Sequence, residues 1–586
     1  VTDNTRRTIR SWAGLQGTMF EGDWDWDLSV GFGKFEQQQR RFNELYVANV
    51  RNALNVESDG NGGYQCVDEA ARADGCVPLN MFGEGSITEE AADYIRANPG
   101  INTEIEQFSV LGYMAGDLFE MPAGMVSSVF GFEYRKDSQK VSTNVPEGGV
   151  TFNYVPNFDG DISVAEVFAE AAFPLLKDVA GAKKLSAEVS VRIAEYDLDN
   201  IDLVKSYKTG LVWEPIEGYA IRANWARAQR APTITEAMSP PRGDYDSFDD
   251  ICDGVTASST EPGHNNCRLE PGIAATIAAE GSFEDDNNGY SPNVGNAELF
   301  EETADTVTFG ITMAPAFLEG FRMAIDYYDI SIEDAITSFG NEDIIEFCYN
   351  SSLDYGNDNP FCNDVQRDPN DGQITGVMQR LYNQDEISTS GYDVAAEYRF
   401  DLNEYGSVKI KADWTHVISY EETKTSPDGQ YTTDYTGSLS ADVFQDLASA
   451  SATWYKDGWR VRWSIKYKSD VVSSKSRYDD YYAPLDENGN GGIITEYEAA
   501  CAEDATACVE NPETPYQLFL PSYVRNDVSV SYSMDLDSGA EMRMFGGVNN
   551  VFDENGPFIL GGKGNYDSAY GGGKGRFFYV GAEINF

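Results

Sequence analysis

The residues of this chain best suited to chemistry are carboxylates and cysteines. The stretch 231–302 carries thirteen acids from Glu236 to Glu298 against Arg242 and Arg268. Asp244, Asp246, Asp249, Asp250 and Asp253 crowd around Cys252 there, hard oxygens suited to Ca²⁺ or to attracting a cationic solute; a solvated acidic surface is the plain alternative. Asp486, Asn488, Asn490 and Gly491 open like a calcium-binding loop, but its closing Glu position is Tyr497, flanked by Glu496 and Glu498. Asp244, Asp246, Asp249, Asp250, Asp486, Asn488 and Asn490 are therefore candidate Ca²⁺ ligands in acidic loops, with no cofactor required. The eight cysteines fall into neighbouring pairs, Cys66 with Cys76, Cys252 with Cys267, Cys348 with Cys362 and Cys501 with Cys508. Four local pairs in Gly, Asp and Asn-rich loops are expected to form disulfides in an oxidising compartment, with free thiols as the alternative. Zinc is disfavoured, because no pair has the short Cys spacing and His264 and His416 are the only histidines.

No catalytic constellation stands out. Neither histidine has a nucleophile and an orienting acid nearby in sequence. Among 97 acids a glycosidase-like carboxylate pair has no selectivity, and Gly572-Gly573-Lys574-Gly575 lacks the sequence and setting of a phosphate loop. The expectation is a protein that is not an enzyme, with no catalytic residues.

The 42 basic and 97 acidic residues give a net charge of −55, which disfavours nucleic-acid binding. At 586 residues, 41% apolar and 13% aromatic, the chain folds, and its size calls for several domains or one large closed sheet. No apolar run reaches the roughly 18 residues of a membrane-crossing helix, and Val1 to Arg10 lacks the succession of a signal peptide.

The elements that must hold these loops are strands. Leu185, Ala187, Val189, Val191 and Ile193 alternate with Lys184, Ser186, Glu188, Ser190 and Arg192; Trp459, Val461, Trp463, Ile465 and Tyr467 alternate with Arg460, Arg462, Ser464, Lys466 and Lys468. About seventeen such segments occur, many near the ten residues that a tilted strand needs to cross an apolar layer. The apolar phase slips between Tyr327 and Tyr328, which a bulge or a strand leaving the bilayer would explain. Short turns alternate with long links at about 38–103, 231–302, 333–385 and 473–521, the polarity of an outer-membrane barrel with extracellular loops. Hydrocarbon leaves no water for unpaired N–H and C=O groups, so spanning strands must close laterally. The charged alternate residues, among them Lys184, Glu188, Arg192, Lys409, Lys411, Asp413, Arg460 and Arg462, then line a wet lumen. Tyr245, Phe248, Phe283, Tyr290, Tyr349, Tyr355 and Tyr481 in the long loops are candidate substrate contacts, or pack the loops shut.

Several motifs carry a resemblance. Asn549-Asn550-Val551-Phe552-Asp553, then Gly575-Arg576-Phe577-Phe578-Tyr579-Val580-Gly581 and Phe586, are similar to the closing signature of TonB-dependent outer-membrane receptors. Cys76-Val77-Pro78-Leu79-Asn80-Met81-Phe82-Gly83, Met121-Pro122-Ala123-Gly124 with Gly131-Phe132-Glu133-Tyr134-Arg135, Arg230-Ala231-Pro232-Thr233 and, less closely, Gly295-Asn296-Ala297-Glu298-Leu299 through Thr303 also resemble that family. The resemblance implies an all-β transmembrane antiparallel barrel in which residues 1–586 supply about seventeen of about 22 strands, with the N-terminal plug absent. The plug and first strands are expected from the same gene or another chain. Further implied partners are the inner-membrane TonB complex, reached through the plug, outer-membrane lipids and a small nutrient. The expected role is the barrel wall and extracellular mouth of an energy-coupled transporter in the bacterial outer membrane, with a ferric chelate slightly favoured. The alternatives are an outer-surface adhesion or assembly scaffold and a soluble secreted β-rich enzyme.

Overall fold

The computed structural model describes the chain except residues 1, 146–148, 151–154, 244–245, 287–288, 357–358, 486–488, 490, 504–511, 537–538, 560–564, 572 and 586. Its frame is one 19-stranded sheet. Two members are short: Asn293–Val294 adds in parallel to Gln379–Asp401, and Gly429–Asp434 folds back on Ser407–Ser426. The others are long and pair antiparallel with the next in chain order, from Thr2–Met19 on Trp24–Arg41 to Glu541–Asn549 on Phe577–Asn585. Every alternating segment of the sequence overlaps one of these strands. Gly100–Met121 and Phe158–Val179, at 22 residues each, and Gln379–Asp401, at 23, run beyond the alternating segments.

Antiparallel pairing in chain order collects the connectors at opposite ends. The links 20–23, 122–123, 180–181, 217–218, 314–320, 402–406, 457–458 and 536–540 share one end, and 42–99, 231–301, 339–378 and 469–522 share the other. Among the described residues, no pairing joins Thr2–Met19 to Phe577–Asn585, and these two strands expose Trp12 at 77% and Val580 at 90%.

The two faces differ as the alternation requires. On one, Arg192 reaches Glu166 and Glu133 at 3.4 and 3.9 Å, Lys409 and Lys411 meet Glu397 at 2.8 and 3.2 Å, and Arg222 Nε donates to Asp326 at 2.9 Å. Ser449 donates to Asp413 there, and Arg460 lies over the Tyr455 ring. Register places Lys184, opposite Glu214 and Lys177, and Glu188 on the same face. The other face exposes Val189, Val191, Trp459, Trp463 and Val530.

The phase slip in Phe321–Ser338 carries no bulge in the pairing of Tyr327 and Tyr328. Tyr327 pairs with Phe309 and Tyr392, and Tyr328 with Thr308 and Gly391, in unbroken register on both sides. Tyr327 therefore joins the apolar face and Tyr328 the polar one. Gly391 permits this, since a Cβ there would stand 2.4 Å from the Tyr328 hydroxyl. The actual irregularity lies at Ile332 to Ile336, where Asp334 adopts a positive φ of 57° opposite the Asp385 region.

Candidate functional site

At the loop-bearing end, 231–301 and 339–378 fold together into a lobe with its own apolar core. Phe248, Val255, Ile273 and Phe283 of the first loop pack with Phe339, Ile344, Phe347, Tyr349, Phe361 and Val377 of the second. Helix Asn341–Tyr349 lays most of its residues into this core, and Cys252–Cys267 and Cys348–Cys362 close its two halves. Cys66–Cys76 closes a third loop. Cys501 is disulfide-bonded as well, whereas Cys508 lies outside the described residues.

A buried ion pair joins the two loops. Arg367 donates from Nη1 and Nη2 to Asp250 Oδ2 and Oδ1 at 2.6 and 2.7 Å, from Nη1 to the Gly372 carbonyl at 2.9 Å and from Nε to the Tyr349 hydroxyl at 2.8 Å. Its guanidinium lies 5.0 Å from the Tyr349 ring centre and 5.9 Å from that of Phe283. Tyr349 and Tyr355 both donate to Glu270 Oε1, at 3.0 and 2.6 Å. Burial pushes both phenols far above the ordinary tyrosine range, and the Glu270 carboxylate adds to this, so both remain donors.

This lobe sorts the residues that the sequence singled out. Phe248, Phe283 and Tyr349 are 4%, 0% and 1% exposed and close the core, leaving no surface for a solute. Tyr290 and Tyr355 are half-buried in the lobe, Tyr481 is half-buried on helix Lys475–Tyr482, and Tyr245 lies outside the described residues. Of the metal candidates, Asp250 has both oxygens engaged by Arg367, while Asp246 and Asp249 are exposed. Asp244, Asp486, Asn488 and Asn490 lie outside the described residues. Among the described residues, no group of three or more His, Cys, Asp or Glu side chains converges as a metal site would require. His264 is buried against Ser259 and Glu261, and His416 contacts Asp446 at 2.9 Å.

Two of the quoted motifs meet where the lobe joins the sheet. Thr233 caps helix Ile234–Met238 and Glu236 returns to the Thr233 N–H, a capping box, while Arg230 binds both Glu236 and Glu302. Gly295 meets the end of this helix so closely that a Cβ would stand 2.6 Å from the Ser239 nitrogen; its own N–H donates to the Ser239 carbonyl. Burial would raise the Glu236 carboxyl, but Arg230 and the Thr233 N–H outweigh it and hold the group below the usual carboxylate range. The Asn549 to Asp553 motif is likewise architectural: Asn550, at a positive φ of 55°, takes its N–H to Asp527 Oδ1 and exchanges hydrogen bonds with Glu554.

Beside the lobe, the hairpin of Ser407–Ser426 and Gly429–Asp434 rises past the apolar band. Tyr420, Glu422 and Lys424 share its polar face; Thr433 stands opposite Glu422 and Tyr431 opposite Lys424. The Tyr435 N–H donates to the Tyr420 carbonyl. On the neighbouring strand Ile387 is opposite Glu422, and Asp385 follows two positions on. Asp385 is 5% exposed; Oδ2 accepts from Thr337 Oγ1, and Oδ1 has no hydrogen-bond partner. Burial raises the Glu422 carboxyl, Lys424 opposes this and Asp385 adds to it; burial, Asp343 and Asp385 push the Tyr431 phenol up to about 12. Sequence reading missed Asp385, Glu422 and the three tyrosines, since the pairing register of three successive strands, not spacing in the chain, sets them on one face.

The family described as TonB dependent receptor-like, beta-barrel matches residues 2–551. No curated protein matches by sequence. Among solved structures, the siderophore receptor PirA from Acinetobacter baumannii superposes with a TM-score of 0.55 at 11% identity, over 99% of this chain and 62% of that one. The outer membrane transporter YddB from Escherichia coli gives 0.54 at 9% identity, covering 99% and 63%. The RagAB peptide transporter gives 0.52 at 11% identity, covering 100% and 62%. The chain thus spans less than two thirds of the length of each of these proteins, and the likeness is one of fold.

Proposed function

As the chain belongs to the TonB-dependent receptor-like β-barrel family, we propose that it forms the wall and extracellular mouth of an energy-coupled nutrient transporter. Its place is the bacterial outer membrane. The family is one of transport proteins, which sets aside a soluble secreted enzyme. The observation that carries the reading is the contrast between the two faces. Exposed Val189, Trp459, Trp463 and Val530 suit hydrocarbon, while the paired Arg192, Glu397, Lys409 and Arg222 suit a water-filled lumen.

In this reading the sheet closes into a barrel of about 22 strands. The plug and the first strands of the barrel come from the same gene or from another chain. The edges of Thr2–Met19 and Phe577–Asn585, which no pairing joins among the described residues, support this, because in lipid an open row of N–H and C=O groups costs several kcal/mol per group. Coupling to the inner-membrane TonB complex requires that solute bind the plug states unequally. The solved relatives include a siderophore receptor and a peptide transporter. A ferric chelate and a peptide are accordingly the first solutes to try. Cells with and without the complete gene are expected to differ in uptake of at least one chelate, peptide or oligosaccharide. Equal uptake of every one would sink the transport reading.

A further inference from the structure

We infer that the outer mouth recognises an organic cation, a solute bearing ammonium or guanidinium groups, on the wall formed by Asp385, Glu422, Tyr420, Tyr431 and Tyr435. This deepens the transport reading and rests on it for what becomes of the bound solute.

The first observation is the carboxylate of Asp385. It is 5% exposed, yet its Oδ1 has no hydrogen-bond partner. A buried charged acceptor left unmatched is costly, and an N–H donor supplied from outside would satisfy it. Register sets half-buried Glu422 opposite Ile387 on the adjoining strand, diagonal to Asp385 on the same face. Lys424 is the nearby cation; it stands opposite Tyr431 and, one step on from the Glu386 and Thr423 pair, level with Asp385. Two fixed carboxylates with one lysine leave a local excess of negative charge.

The second observation is independent and concerns the rings. Tyr420, Tyr431 and Tyr435 line the same polar face, and Tyr431 is 44% exposed. Aromatic faces attract a diffuse organic cation, whereas a bare divalent ion prefers a cage of oxygens. Tyrosine with carboxylate therefore selects an amine or guanidine over Ca²⁺.

The third is the field over the mouth. The stretch 333–385 carries eleven acids against Arg367 and Arg380. Both arginines are already consumed, Arg367 by Asp250 and Arg380 by Asp364 at 2.9 Å. A cation approaching this end meets an uncompensated negative potential that steers it inward.

The test uses the complete gene product purified in detergent, with trilysine as the cationic probe. Side-chain-acetylated trilysine, triglutamate and CaCl₂ are the comparisons, and binding is followed calorimetrically at low and high salt. Trilysine is expected to bind about tenfold or more tighter than the acetylated and acidic peptides, and to weaken as salt rises. The isosteric pair Asp385→Asn with Glu422→Gln should weaken it by about tenfold. Lys424→Gln should tighten it severalfold, a gain that misfolding cannot mimic. Equal binding of trilysine and its acetylated form, or no change in the Asp385/Glu422 double variant, overturns the inference, as does Ca²⁺ displacing trilysine at equal concentration. The transport reading fails separately: gene-dependent uptake confined to neutral or anionic solutes leaves transport standing and removes the cation site. Trilysine binding that responds to Asp385 and Glu422 without any gene-dependent uptake does the reverse.

Discussion

Arg367 is the side chain on which the loop lobe turns. Its guanidinium spends its donors on Asp250, Gly372 and Tyr349, so removing it strands the Asp250 carboxylate in an apolar core. Breaking one partner of such a buried pair costs about 3–5 kcal/mol, while replacing both by apolar residues of similar size is close to neutral. Arg367→Met alone is therefore expected to render the lobe protease-sensitive while the sheet stays intact, and Arg367→Met with Asp250→Leu to restore resistance. Glu236 supplies a pH dependence. Its folded carboxyl titrates below the ordinary range, so its contribution is complete above the unfolded value of about 4.3 and is lost as pH falls through the lower folded value. Amide exchange over 233–239 should stay slow at pH 5 and accelerate only at more acidic pH, and Glu236→Gln should remove that step.

The strands obey a period of two because each must present different chemistry to two surroundings. Phe321–Ser338 tests this most sharply, since its hydrophobic pattern slips at Tyr327 and Tyr328 while its pairing does not. An aromatic residue suits either face, its ring turned to hydrocarbon or its hydroxyl to water. Cysteines placed singly at Tyr327 and Tyr328 in membrane-embedded protein should respond oppositely, position 327 to a lipid-soluble label and position 328 to a water-soluble one. Val189 and Glu188 should show the same contrast. The paired motifs at Arg230 to Thr233 and at Gly295 are a second kind of element. Their residues tie a helix to a strand end, so their value is in positioning the lobe over the wall that carries Asp385 and Glu422.

At the scale of the whole molecule, an apolar face exposed along the long strands is rare in a water-soluble protein. The complete protein is expected to need detergent, and to run faster on a gel before boiling than after. A closed hydrogen-bonded wall resists dodecyl sulfate until heated, and identical mobility in the two samples would count against closure. The charge of −55 is spread unevenly, with the acid-rich loops gathered at one end. That end is where a positively charged solute would be concentrated.

Alternation of single residues marks every long strand, connector length separates short turns from long loops, and nearness in the chain marks the disulfide partners Cys66–Cys76, Cys252–Cys267 and Cys348–Cys362, because all of these depend on neighbours close in the chain. Which loop residues face a solute was beyond these signals. Phe248, Phe283 and Tyr349 look like contacts in sequence and are buried in the fold, while Asp385 and Glu422 look like two acids among 97 and come to lie diagonally on one face through strand register. The lobe is assembled from side chains more than a hundred residues apart, as Asp250 and Arg367 are, and only packing in three dimensions selects among so many equivalent carboxylates and rings.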